Sequence, residues 1–259
     1  MTFNHLTIVG NGPNSDAIYY DGENTSTLTI NQGLITSSQD ALLLYGVNAD
    51  LNNITFNNNE TAIRTELSSA PTNIVATHLT IVGNINNNSL NTIHLGENDT
   101  LNLKHSIVAG NLVDGVENNI YVADAATLID GGYNLIGHGG VSGVNGESGQ
   151  VFFNYFTSGN SFIATQPLNE IISETLDGNN GWAQSLMPVN GSPLIDAITL
   201  ASCTLSIDQR DQVRPYNNAC DIGAIEVQLD TDNDSVENFI DTDDDGDGVV
   251  DTLDAFPLD

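Results

Sequence analysis

The side chains best suited to chemistry crowd the C-terminal end, where residues 229–259 carry 12 acidic groups and no basic one. Within them DTDNDSVENFID (230–241) and DDDGDGVVDTLD (243–254) fit a single twelve-residue frame, offset by thirteen residues. The first copy supplies Asp230, Asp232, Asp234, Asn238 and Asp241; the second supplies Asp243, Asp245, Asp247, Asp251 and Asp254. Oxygen donors at alternating positions converge if the chain wraps tightly, and Ca²⁺, which takes about six to eight oxygens in flexible geometry, suits such a site. Gly248 follows the third acid of the second copy, where the turn is sharpest; Ser235 stands there in the first, which predicts a weaker site. Carboxylates this dense cannot pack together without a cation, so calcium binding energy would be folding energy for this tail. Val236, Phe239, Val249 and Phe256 are expected to make small apolar contacts between the wrapped turns.

A second cluster precedes the tail. Arg210 and Arg214, two of only four basic residues, lie among Asp208, Asp211, Asp221 and Glu226, and Cys203 and Cys220 bracket the same stretch. Arginine bonds a carboxylate through two parallel N–H···O contacts, which predicts a clamp that lashes an irregular loop to the end of the fold. In an oxidising compartment a Cys203–Cys220 disulfide would add roughly 3 kcal/mol through loop closure. The catalytic alternative uses an arginine as general base, as β-helical polysaccharide lyases do. Outside this cluster the bases are Arg64 and Lys104, on different strand types. A glycoside hydrolase needs clustered Asp residues, but the column begun by Asp16 and Asp40 is interrupted at Thr61 and Asn91.

The elements that must position these groups follow from the first half. HLTIVGN occurs at 5–11 and again at 78–84, with HSIVAGN at 105–111 and the related LTINQG and ITFNNN between them. With Ile8, Ile30, Phe56, Ile81 and Val108 taken as equivalent, the unit repeats about every 25 residues, and a second short apolar run follows each copy. β-Branched residues, Asn and Gly dominate, and helical periodicity is absent, so the expectation is an all-β chain forming a right-handed parallel β-helix of five coils. Alternation turns Leu6, Ile8, Leu28, Ile30, Ile54, Phe56, Leu79 and Ile81 inward and Thr7, Thr29, Thr55 and Thr80 outward. His5, Thr27, Asn53, His78 and His105 are expected to form an exposed column, while Asn11, Asn84 and Asn111 should stack as an amide ladder at one corner. Regular coils are expected to about residue 126, a glycine-rich, irregular end from 127 to 228, and the calcium-binding tail from 229.

The chain of 259 residues has 34 acids against 4 Lys and Arg, a formal net charge of −30. That charge excludes nucleic-acid binding through a basic patch and repels polyuronates unless a divalent cation bridges them. No apolar run reaches the roughly 18 residues needed to span a bilayer. The opening MTFNHLTIVGN already lies inside a repeat, so the start reads as a fragment boundary.

NLIG (134–137), NGSPLIDA (190–197), DQR (208–210), RP (214–215) and CDIGAIE (220–226), taken with HSIVAGN, resemble choice-of-anchor Q domains of bacterial surface proteins. Asp211 and Ile198 depart from that pattern, each where glycine is usual. The two tail segments resemble thrombospondin type 3 calcium repeats. The resemblance implies a right-handed parallel β-helix on an exported, envelope-attached protein, and it carries no catalytic residues. The expected function is that of a non-catalytic rod on a calcium-stabilised stalk, a monomer that contacts polysaccharide or another cell-surface protein. The alternative is a polysaccharide lyase or glycoside hydrolase.

Overall fold

The computed structural model describes residues 1–259 apart from 11, 13, 23–25, 89, 146–151, 233, 235, 239–240 and 259. Asn11, Ser235 and Phe239, singled out above, therefore lie outside the described residues. The fold is a parallel β-helix of about five turns. Its first two faces belong to one bent sheet, continuous in Asn48–Asn57 and Asn73–Val82, and the third is the five-stranded sheet formed by Ile18–Asp21, Asp40–Tyr45, Thr61–Thr65, Ile93–Leu95 and Ile120–Val122. All pairings within these two sheets are parallel, so each strand rests on its counterpart one coil away.

The register corrects the sequence alignment at one coil. Ile8 pairs with Ile35, which pairs with Phe56, then Ile81, Val108 and Ile136. Ile30 belongs instead to the first face, stacked between Phe3 and Leu51. The cause is that one coil contains two strands of similar pattern, LTI at 28–30 and GLIT at 33–36, which local alternation does not tell apart. Stacking also outlasts the expected limit near 126: Thr127–Asp130 and Leu135–Ile136 add rungs in register, and Val144 bridges to Ile120.

The interior is aliphatic because alternation sends Leu28, Ile30, Ile54, Phe56, Leu79 and Ile81 inward, all with no exposed surface. Phe152–Tyr155 forms one short helix at the C-terminal end of the column, and Phe152 and Phe156 stack with ring centroids 4.8 Å apart inside the main core cluster. One corner carries the amide ladder, with Asn59 joining the expected Asn84 and Asn111. Asn59 Nδ2 donates to Asn84 Oδ1 (3.1 Å), Asn84 Nδ2 to Asn111 Oδ1 (2.9 Å), and Asn111 Nδ2 to Asn119 Oδ1 (2.8 Å). Each of these three amides also donates to a main-chain carbonyl, so groups that the corner removes from water are partnered.

Candidate functional site

The segment 203–227 does not close the end of the solenoid, as the sequence suggested; it runs as a strap along the second face. Its contacts explain why Asn53, His78 and His105 of the expected exposed column are buried, whereas His5 and Thr27 remain exposed. Gln32, not Thr27, takes the place between His5 and Asn53, since Leu6 pairs with Gly33. His5, Asn53, His78 and His105 have positive φ (51 to 59°), each marking the bend between the first and second faces. There they meet the strap. His5 Nε2 lies 2.9 Å from Asp211 Oδ2, Gln32 Nε2 donates to Asp208 O (3.0 Å), and Asn53 Nδ2 donates to Ile207 O (2.9 Å). His78 Nδ1 lies 3.2 Å from Gly223 O, and His105 Nδ1 lies 3.2 Å from His78 Nε2. Burial holds His78 well below the usual imidazole range and, with help from Lys104 and Arg214, takes His105 down to about 4. Both are neutral at pH 7.

The outward threonines meet the same fate. Thr55 and Thr80 face away from the core yet are almost fully enclosed by the strap, whereas Thr29 belongs to the first face. Thr80 Oγ1 accepts Ala224 N–H (2.9 Å) and Thr55 shares a hydrogen bond with Gln209. Gly223 crosses directly over Thr80 with φ +102°; a Cβ there would stand 2.9 Å from Thr80 Oγ1.

The arginines anchor the strap. Arg214, fully enclosed, donates to Asp221 O (2.8 Å), Gly223 O (3.1 Å) and the Glu226 carboxylate (2.9 Å). Arg210 bonds Asp208 (3.0 Å) and grips Glu237 through both terminal nitrogens, at 2.6 and 3.3 Å. Glu237 lies in the acidic tail and also accepts Gln228 N–H (2.7 Å), so the first tail loop is tied to the strap. Asp211, expected in the clamp, turns to His5 and Gln32. Two guanidinium groups thus face the buried carboxylates of Asp208, Asp221, Glu226 and Glu237. Burial pushes Asp221 up to about 6 and Glu226 up to about 7, the latter against the pull of Arg214. Cys203 and Cys220 are joined, with Cα atoms 5.9 Å apart, closing seventeen residues of the strap into a loop.

The described residues of the two tail segments fold alike. Six hydrogen bonds recur at the thirteen-residue offset. The position-two N–H of each copy donates to the position-nine side chain: Thr231 to Asn238, and Asp244 to Asp251, both 2.8 Å. Asp234 N–H and Asp247 N–H donate to Asp232 and Asp245 (both 3.1 Å), and Val236 N–H and Val249 N–H to Asp234 and Asp247 (2.7 and 2.8 Å). The other three pairs join Asn238 N–H to Leu229 O and Asp251 N–H to Thr242 O, Asp241 N–H to Glu237 O and Asp254 N–H to Val250 O, and Asp243 N–H to Asp241 and Phe256 N–H to Asp254. In each copy the acids at positions one, three and five converge. One carboxylate oxygen from each of Asp230, Asp232 and Asp234 lies within 4.8 Å of the others, and likewise for Asp243, Asp245 and Asp247. Asn238, Asp241, Asp251 and Asp254 stand outside these triplets and cap turns. Asp243 Oδ1, Asp244 Oδ1 and Asp245 Oδ2 are closed off from solvent with no hydrogen-bond partner among the described residues. Such orphaned anionic oxygens fit a hard cation. Val249 and Phe256 are 41 and 69 % exposed, so the expected contacts between turns do not form there.

Arg64 is fixed on the third face by Asp40 Oδ2 (3.2 Å) and by Glu66; Asp40 is buried, whereas Arg64 and Glu66 are partly exposed. Burial raises the Asp40 carboxyl, with Arg64 opposing and Asp16 adding to the shift. Comparison with family models, curated proteins and solved structures returns no match for this chain. Sequence reasoning missed Gln32, Gln209 and Glu237. Polar residues at the bend positions of successive coils were the one available signal for Gln32; nothing local marked the other two.

Proposed function

We propose that the chain is a non-catalytic, exported bacterial surface protein: a β-helical rod on a calcium-stabilised stalk that contacts glycans or another cell-surface protein along its strand faces. The observation that carries this reading is the structural use of the ionisable side chains. Arg210 and Arg214 are both sealed in the strap clamp, where each is already bonded to a carboxylate. A disulfide inside the strap supports an oxidising compartment.

Calcium would be held in the first loop by Asp230, Asp232 and Asp234 and in the second by Asp243, Asp245 and Asp247. Bound there, the ion supplies positive charge that offsets carboxylate repulsion and so orders the stalk. Because Glu237 joins the first loop to Arg210, ordering of the stalk is coupled to the strap. The test is calcium titration by calorimetry with proteolytic mapping of the tail. Binding should slow cleavage within 229–259 and leave the solenoid pattern unchanged, and Asp245→Ala should weaken one site. Equal cleavage with calcium and with chelator refutes the stalk. Release of unsaturated uronides or reducing ends from acidic polysaccharides refutes the non-catalytic reading.

A further inference from the structure

The third face carries a row of side chains that, among the described residues, no hydrogen bond, ion pair or ring contact joins to the strap or the tail. Register places Tyr19, Leu43, Arg64, His94 and Tyr121 in one outward column, one residue per coil. At one end Tyr19 lies against Tyr45, ring centroids 5.3 Å apart; at the other His94 stacks nearly parallel on Tyr121, at 4.7 Å and 20°. Tyr19 is 58 % exposed and Tyr121 36 %. Between the ring pairs Arg64 is tied to Asp40 and Glu66, and its Nε donates to Glu66 Oε1 at 2.8 Å. The centre of the row is therefore a polar hub whose cation is already matched by carboxylates. Burial, reinforced by the charge of Arg64, lowers the His94 pKa, so its ring is neutral at pH 7, and its enclosed Nδ1 has no partner among the described residues.

Coils are spaced by about 4.8 Å, so the four steps from Tyr19 to Tyr121 extend roughly 19 Å along the axis. One coil step is close to the advance of one pyranose in an extended glycan, so a chain laid along the axis meets equivalent positions ring after ring. Tyrosine gives flat, rigid, amphipathic contact at low entropic cost. With its one cation neutralised, on a protein of net charge −30, the row has nothing to offer a polyanion, whereas its phenols, carboxylates and guanidinium suit uncharged hydroxyls.

We propose that the row from Tyr19 and Tyr45 through Arg64 and Glu66 to His94 and Tyr121 binds an extended, uncharged polysaccharide lying parallel to the solenoid axis. This deepens the glycan-contact reading above and rests on it. The test is titration calorimetry of the full chain in calcium, with soluble uncharged β-1,4-linked oligosaccharides of two to six units and with oligogalacturonate of matched length. Uncharged oligomers should bind with affinity that rises with length and levels off near four or five units. Tyr19→Ala and Tyr121→Ala should each weaken binding at least tenfold, Tyr121→Phe should keep most of it, and Val75→Ala on the first face should leave it unchanged. Both tyrosines are surface residues, and circular dichroism of each variant checks that the fold persists. Uncharged oligomers bound equally by wild type and both alanine variants would overturn the assignment to this row while leaving glycan contact standing. No uncharged oligomer bound, or oligogalacturonate preferred, would overturn it through its chemistry, and absence of binding to either class would sink the glycan reading with it. A wild-type dimer dissociated by Tyr121→Ala in sedimentation would give the row to a second copy of the chain and equally overturn the proposal.

Discussion

Replacing Arg214 with methionine tests how the strap is held. Methionine keeps most of the stem volume but leaves Asp221 O, Gly223 O and the Glu226 carboxylate without their buried donor. Removing one partner of a buried ion pair costs about 3–5 kcal/mol, chiefly because the other charge stays buried. Hydrogen exchange reads this directly at amides that close only when the strap is seated, Gly223 N–H to His105 O and Ala224 N–H to Thr80 Oγ1. At about 1.4 kcal/mol per factor of ten, their protection should fall by roughly two to three and a half powers of ten. Amides deep in the solenoid, such as those of Ile81 and Phe56, should change far less, because the strap can open as a local unit. The loss also depends on pH. Glu226 has its folded pKa raised from 4.5 to about 7, so its contribution is fully present below about pH 4.5 and is lost as pH rises through 7. Without Arg214 the carboxyl should titrate higher still, so the variant should lose less protection at pH 5 than at pH 8. Protection that falls equally in strap and solenoid, or a loss independent of pH, would refute the view that Arg214 works by neutralising a buried carboxylate.

Other predictions follow from the same geometry. Between pH 5 and pH 8 two sets of groups oppose each other at the strap. Asp221, raised to about 6, and Glu226, raised to about 7, lose a stabilising proton as pH rises, whereas His78 and His105, held low by burial, favour the seated strap increasingly as pH rises through the usual imidazole range. Glu226→Gln removes the larger opposing part, so strap protection in that variant should rise from pH 5 to pH 8, which exchange across the range checks. Asn84→Ala breaks the ladder between Asn59 and Asn111 and strands the Phe56 carbonyl, so thermal unfolding should show a loss of about 2 kcal/mol, with Asn88→Ala at the surface nearly silent. Reducing the Cys203–Cys220 bridge, or replacing both cysteines with serine, frees a seventeen-residue loop and should cost about 3 kcal/mol, read as faster proteolysis of the strap.

Much of this molecule is legible in local patterns, because they are one-dimensional. Period-two alternation in LTIV and ITFN fixes which side chains enter a core, and recurrence near 25 residues fixes that coils stack; both survive without knowing any distant contact. The same holds in the tail, where spacing within one twelve-residue frame placed Asp230, Asp232 and Asp234, and then Asp243, Asp245 and Asp247, around common points. The misalignment of Ile30 shows the limit even here: two strands of one coil share a pattern, and only hydrogen-bond register separates them.

What tertiary structure alone decided is which surface stays a surface. Thr55, Thr80, His78 and Asn53 have the alternation and polarity of outward residues, and they do point outward. Yet a segment more than a hundred residues later lies across them, and their polar groups bond its main chain and side chains. Glu237 likewise sits in a run that reads as solvated acid, but Arg210 draws it into a buried pair. Alternation reports the direction a side chain takes from its own strand. Whether water or another part of the chain waits there depends on long-range closure, which leaves no periodic mark in the sequence.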